Sequence, residues 1–342
     1  MRAFITGIGG PALTAAERQF LQEAQPWGLI IFKRNVADGP SLRRLVDEFR
    51  VAVGRDAPVL IDQEGGRVQR LGPPHWPSYP PGAAYGALYD LDRNSGLAAA
   101  RLGARLMAVD LTAFGIDVDC APLADVPVPG ADPIVGDRAY GTDPGKVAAI
   151  AGAIAAGLLD GGVLPVLKHI PGHGRATADS HQRLPVVDTD RATLAATDFA
   201  AFRPLAALPL AMTAHVVFTA FDPLAPATTS ATIVRDVIRD SIGFKGLLMS
   251  DDISMGALSG ALGERTAAAL AAGCDIVLHC NGKMPEMLAV AAAAPLLAGH
   301  AARRAAAALA MRQAAKPIEF AAAQAEFGNL MAGVWQTAQG SA

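Results

Sequence analysis

The 342-residue sequence has only three cysteines, Cys120, Cys274 and Cys280, an odd count without a CxxC pair. That excludes a disulfide framework and points to buried free thiols. No apolar stretch reaches the roughly 20 residues that span a bilayer. The longest, Val147 to Leu159 and Met287 to Gly299, are short and alanine-rich, and Pro295 interrupts the second. Basic excess is missing as well: 29 Lys and Arg face 32 Asp and Glu, a net charge of −3, and no cationic run offers a footprint for nucleic acid. The N-terminus lacks the unbroken apolar core of a secretory leader, because Gly7, Gly9, Gly10 and Pro11 interrupt it. Aromatics make up only 6%, yet 51% of the residues are hydrophobic, and a chain of this length buries a large core. The expectation is a cytoplasmic monomer with no membrane segment that acts on a small molecule.

What is present is alternation. Short β-branched or apolar runs occur at Ala3–Thr6, Gly28–Phe32, Pro58–Ile61, Asp117–Pro122, Leu164–Leu167, Leu210–Val216, Gly246–Ser250 and Cys274–Leu278. Between them most segments show helical apolar spacing: 14–25, 41–53, 96–114, 146–159, 191–202, 233–242 and 263–272. Eight strand–helix units predict a (β/α)8 barrel of the TIM type, an α/β fold. A doubly wound open sheet is the alternative, but Gly7-Ile8-Gly9-Gly10 lacks the dinucleotide-binding spacing. No linker or repeat divides the chain, so one catalytic domain over 1–342 is expected. Helices from about 283 (283–312 and 321–338) would pack on the barrel, and 339–342 would be a frayed tail.

Polar residues stand just after the apolar strands. Asp62-Gln63-Glu64 follows Val59-Leu60-Ile61, Lys168-His169 follows Pro165-Val166-Leu167, His215 follows Met212-Thr213-Ala214, and Asp251-Asp252 follows Leu247 to Ser250. In a barrel these positions converge on the C-terminal mouth, where isolated charges beside apolar strands would be costly without a task. Arg67, Arg70 and Arg138 offer donor forks for hydroxyl, carboxylate and amide oxygens, or else brace loops, and Asp62 could accept two vicinal hydroxyls of a sugar. The densest chemistry is Lys168-His169-Ile170-Pro171-Gly172-His173-Gly174 followed by Asp179-Ser180-His181. His169 and His173 have zincin spacing, but Pro171 and Gly172 break the helix that spacing needs, so no metal and no cofactor is expected. Asp179 and His181 are alternate residues that can set a carboxylate against an imidazole, which suits a proton donor. Gly172 and Gly174 are read as lending that segment mobility. A metal-dependent hydrolase and a catalytically silent sugar-binding barrel remain the competing readings.

The segments Ile61-Asp62-Gln63-Glu64-Gly65-Gly66-Arg67-Val68-Gln69-Arg70, Gly136-Asp137-Arg138, Lys168 to His181 and Ser250-Asp251-Asp252-Ile253-Ser254-Met255 carry a resemblance over nearly the whole chain. The chain resembles the β-N-acetylglucosaminidases of glycoside hydrolase family 3 in their single-domain bacterial form. The resemblance implies a retaining exo-glycosidase of cell-wall recycling, active on N-acetylglucosamine-containing muropeptides. Asp251 would be the nucleophile, His181 the acid and then the base, and Asp179 its assistant. Asp62, Arg70, Arg138, Lys168 and His169 map to sugar-binding positions. The chain departs from the commoner pattern at Ile170, where an aromatic is usual, and at Ala139-Tyr140, where serine and phenylalanine are more familiar; neither removes a catalytic group.

Overall fold

The apolar runs become eight parallel strands in the computed structural model, which describes residues 1–335. They are β1 (Arg2–Thr6), β2 (Pro26–Ile31), β3 (Val59–Ile61), β4 (Val118–Asp119), β5 (Leu164–Ile170), β6 (Leu210–Thr213), β7 (Leu247–Asp252) and β8 (Ile276–His279). Each pairs with the next in sequence, and β8 returns to β1, so the sheet closes into the expected barrel. Arg2–Thr6, weighed above as part of a leader, forms the first strand of that barrel.

Side chains alternate across the sheet. Ile30, Leu60, Val118 and Leu164 stand in register on neighbouring strands and belong to one apolar cluster that fills the barrel. Leu29, Ile31, Val59, Ile61 and Leu167 belong to the other, which cements the sheet to its helices. The inward parity decides the site. Two residues beyond Leu60 comes Asp62, and two beyond Val166 comes Lys168, so both turn into the mouth at the C-terminal ends of the strands.

The surrounding helices follow the predicted periodicity with local adjustments. Thr14 and Glu17 form a capping box ahead of Ala15–Ala24, and Asp143 caps Pro144–Asp160 through the Lys146 N–H. The segment 191–202 is two short helices, Arg191–Ala196 and Asp198–Phe202, and 233–241 winds as a wide π-type helix. A helix at Gly82–Leu91 and an antiparallel hairpin, Gln63–Gly65 with Val68–Gln69, had no forecast. The predicted strand at Asp117–Pro122 is regular over only two residues, although hydrogen bonds to β5 run on from Ala121 to Ala124. Conversely β5 and β7 run on to Ile170 and Asp252, so that Lys168, His169, Asp251 and Asp252 lie in the strands themselves.

Beyond the barrel come Met284–Ala293, Gly299–Ala310 and Phe320–Met331, the first two separated around Pro295. Ala305 and Ala308 join the apolar cluster of the barrel interior, and Phe327 packs against Tyr85 with ring centroids 6.4 Å apart. The frayed tail expected at 339–342, and the end of the helix expected to reach 338, lie outside the described residues. Among the described residues no helix is long and apolar enough to cross a membrane.

Candidate active site

At the mouth of the barrel charges are paired inside a pocket. Lys168, 2% exposed, reaches across from β5 to Asp62 Oδ1 at 2.9 Å and Glu64 Oε1 at 2.6 Å. Arg70 donates to Asp62 Oδ2 at 3.0 Å, and Arg138 grips both oxygens of Glu64 at 2.8 Å. Burial works against the charges of Asp62, Glu64, Arg138 and Lys168, and the partners prevail. Lys168 and Arg70 hold Asp62 below the ordinary carboxylate range, Lys168 and Arg138 do the same for Glu64, and the two carboxylates raise Lys168. Phe32 lies against two guanidinium groups, Arg34 at 4.9 Å and Arg70 at 5.1 Å from its ring centre. These groups form a rigid, polar rim for a ligand rich in hydroxyls.

His169 is oriented from behind. Its Nδ1 bonds to Asp125 Oδ2 at 2.7 Å, and the backbone N–H groups of His169 and His173 donate to Asp125 Oδ1 at 3.3 and 2.7 Å. Despite full burial, the two rings and the His173 amide hold Asp125 down to about 2. The His169 ring therefore presents Nε2 toward the mouth.

The two adjacent aspartates have separate roles. Asp252 accepts from the Ser254 N–H at 3.0 Å, the Ser254 hydroxyl at 2.6 Å and the Cys280 N–H at 3.2 Å. Asp251 accepts at 2.7 Å from the Asp252 N–H alone among the described residues. Burial opposes its ionisation, but His169, His215, the Asp252 amide and Lys168 keep it below the ordinary carboxylate range. The result is an ionised carboxylate with a free oxygen. His215, grouped above with the mouth, is instead a satisfied core histidine, bonded to Thr228 Oγ1 at 2.7 Å and the Asp252 carbonyl at 3.0 Å.

Asp179 and His181 meet as the spacing suggested: Asp179 Oδ1 accepts from the His181 N–H at 2.9 Å and its ring Nδ1 at 2.7 Å. Those hydrogen bonds outweigh partial burial and lower the Asp179 pKa, so it stays an acceptor and leaves His181 Nε2 free. A Cβ on Gly174 would stand 2.1 Å from the Val126 carbonyl oxygen, so glycine there serves close packing.

A cavity of about 350 Å³ collects seven of the eight expected site residues: Asp62, Arg70, Arg138, Lys168, His169, His181 and Asp251. Asp179, the eighth, lies behind His181. A larger cavity of about 720 Å³ sits beside the barrel between Tyr79, Leu106, Phe327 and Trp335. We place the site in the smaller one, because the strand-end charges converge there. Among the described residues no three His, Cys, Asp or Glu side chains are arranged to hold a metal ion. Glu64 was in the motif but without a role, and Asp125 escaped notice altogether. A lone carboxylate inside the apolar stretch Cys120 to Val128 was the available signal for Asp125.

The buried rings also set an acid limit. Burial pushes His173 down to about 4 and lowers His215 for the same reason, whereas an unfolded histidine titrates near about 6.5. Between those values the unfolded chain binds more protons, so stability is full above about pH 6.5 and is lost as pH falls toward 4. In denaturant titrations His173→Gln is expected to flatten that slope by up to about 1.4 kcal/mol per pH unit. An unchanged slope would mean that the ring is not held neutral.

With the geometry in place, comparisons with known proteins bear on it. Residues 5–307 match the model of the glycosyl hydrolase family 3 N terminal domain. The chain is 39% identical over 279 residues to a beta-hexosaminidase of Alkalilimnicola ehrlichii, covering 80% of this chain and 79% of that one. It is 40% identical over 280 residues to a beta-hexosaminidase of Thioalkalivibrio sulfidiphilus, with 80% and 79% covered. A solved structure of NagZ from Neisseria gonorrhoeae in complex with N-trifluoroacetyl-D-glucosamine superposes with a TM-score of 0.83 at 31% identity, over 97% of this chain and 96% of that one.

Proposed function

The chain belongs to glycosyl hydrolase family 3, and on that premise we propose a retaining exo-β-N-acetylglucosaminidase working through a covalent glycosyl–Asp251 intermediate. The observation that carries the reading is that the free carboxylate of Asp251 and the ring of His181 open on one cavity whose remaining walls are hydrogen-bonding groups. At about 350 Å³ it sits near the lower end of small-molecule sites, roughly 300 Å³, which suits one terminal sugar ring. Asp62, Arg70, Arg138, Lys168 and His169 bind its hydroxyl and amide groups.

In the first step Asp251 attacks the anomeric carbon while His181 Nε2–H gives its proton to the departing oxygen. In the second, neutral His181 takes a proton from water as the water displaces Asp251. Asp179 holds the ring in the required tautomer and stabilises its cation. The rule that two carboxyl groups about 5 Å apart give retention has no purchase here, since one partner is imidazole. The natural substrates are muropeptide fragments bearing terminal non-reducing N-acetylglucosamine, processed in the cytoplasm during peptidoglycan recycling.

The test compares nitrophenyl N-acetylglucosaminide with nitrophenyl glucoside, each with and without chelator. A preference for the N-acetyl sugar of at least about 100-fold in kcat/KM, untouched by chelator, is the expected result. Preference for plain glucoside would overturn the substrate claim, chelator sensitivity would favour a metal-dependent hydrolase, and tight binding without turnover would favour a silent sugar-binding barrel.

A further inference from the structure

The turn after β7 is tied to the strand that carries Asp251. Both carboxylate oxygens of Asp252 accept from Ser254, and Arg265 donates to the carbonyls of Ile253 at 2.9 Å and Met255 at 3.0 Å. The next residues of the turn face a different segment of the chain. The Gly256 N–H donates to the His181 carbonyl and the Ala257 N–H to the Ser180 carbonyl, each at 3.1 Å. The approach is close: a Cβ on Gly256 would stand 2.7 Å from the Gln182 carbonyl oxygen and 2.9 Å from that of His181. Gly256 does not occupy the left-handed region, so proximity to that segment, and not backbone freedom, is what calls for glycine.

A second anchor lies on the opposite side. Ser180 is 3% exposed, and its Oγ bonds to His173 Nε2 at 3.0 Å. His173 is itself fixed, since its N–H donates to Asp125. The side chain of His181, by contrast, is 62% exposed and, among the described residues, held only through Nδ1. Its backbone is thus gripped from two sides, while its reactive nitrogen faces the cavity.

We propose that the Met255–Ala257 turn is a dock for the Ser180–Gln182 backbone, with Gly256 and Ser180 as positioning residues that set where His181 Nε2 stands relative to Asp251. This rests on His181 being the acid. It also assigns the second aspartate of the pair. Asp251 keeps its carboxylate free for the substrate, whereas Asp252 spends its own on holding the turn. One strand end then carries the nucleophile and, through the turn, places the proton donor. Displacing a reacting group by about 1 Å can cost up to about 100-fold in rate.

The experiment measures kcat/KM, which reports bond cleavage, on the methyl and the 2,4-dinitrophenyl N-acetylglucosaminides. Gly256→Ala is expected to lose about 30-fold on the methyl substrate, whose departing oxygen needs a proton, and under about 3-fold on the dinitrophenyl one. Ser180→Ala should show the same pattern at about 5-fold, and it decides the matter if Gly256→Ala does not fold. His181→Ala, run alongside, supplies the reference gradient. Damage of a merely structural kind would lower both substrates alike. If His181→Ala shows the gradient and the two positioning variants do not, the dock is wrong. If His181→Ala shows none, the acid assignment fails and the dock falls with it.

Discussion

Asp251→Asn is expected to lower kcat on nitrophenyl N-acetylglucosaminide by more than about 10³-fold while the sugar still binds. The amide keeps the shape of the carboxylate and its acceptor for the Asp252 N–H, but it cannot form the glycosyl bond. The network proposed to hold the sugar is built on other residues: Asp62, Glu64, Lys168, Arg70 and Arg138 pair with one another and not with Asp251. Binding of N-acetylglucosamine, followed by calorimetry, should therefore change by less than about 5-fold, well inside the 1.4 kcal/mol that a factor of ten represents. Turnover within ten-fold of the parent would remove Asp251 from the nucleophile's role. An equal collapse of turnover and affinity would show instead that Asp251 serves binding.

Lys168→Met should have the largest effect on the fold. The ammonium sits between Asp62 and Glu64, and its removal leaves two buried carboxylates sharing the charge of Arg70 and Arg138 alone. Breaking a buried pair by deleting one partner costs about 3–5 kcal/mol, because the remaining charge stays desolvated. Denaturant unfolding at pH 7 should show a loss of that order, together with loss of sugar binding. The sign of its pH dependence follows from the lowered carboxylates. In the parent, Asp62 and Glu64 titrate below their unfolded values, so the stability they confer is present above about pH 4 and is lost as pH falls further. Without Lys168 that share is already missing, so the two proteins should converge in acid. A difference at pH 7 below about 1 kcal/mol would mean that Arg70 and Arg138 suffice.

Much of this was legible in the sequence. Polar residues immediately after apolar runs are readable because strand parity is local: Leu60 facing inward commits Asp62 to the mouth, and Val166 commits Lys168. The Asp179–His181 contact needs only a two-residue spacing, and it forms as expected. Asp125 was hidden for the opposite reason. It lies in an irregular stretch after the two-residue β4, and its partners His169 and His173 come from another strand and the segment beyond it. His215 misled because strand-end position alone cannot show whether Thr228 and the Asp252 carbonyl will satisfy the ring.

By itself, then, the sequence determined the eight-unit barrel and the strand ends that carry chemistry, because period and spacing along the chain encode these, and its motifs carried the resemblance to a glycosidase family. Only the tertiary structure decided how the charges are shared. Lys168 serves Asp62 and Glu64 together, Asp252 is consumed by Ser254 and Cys280 while Asp251 is left free, and Gly256 carries the backbone of His181. Each of these depends on which distant segments the closed barrel brings within hydrogen-bond reach. That distance exists only once β5, β7 and the connections after them have packed side by side.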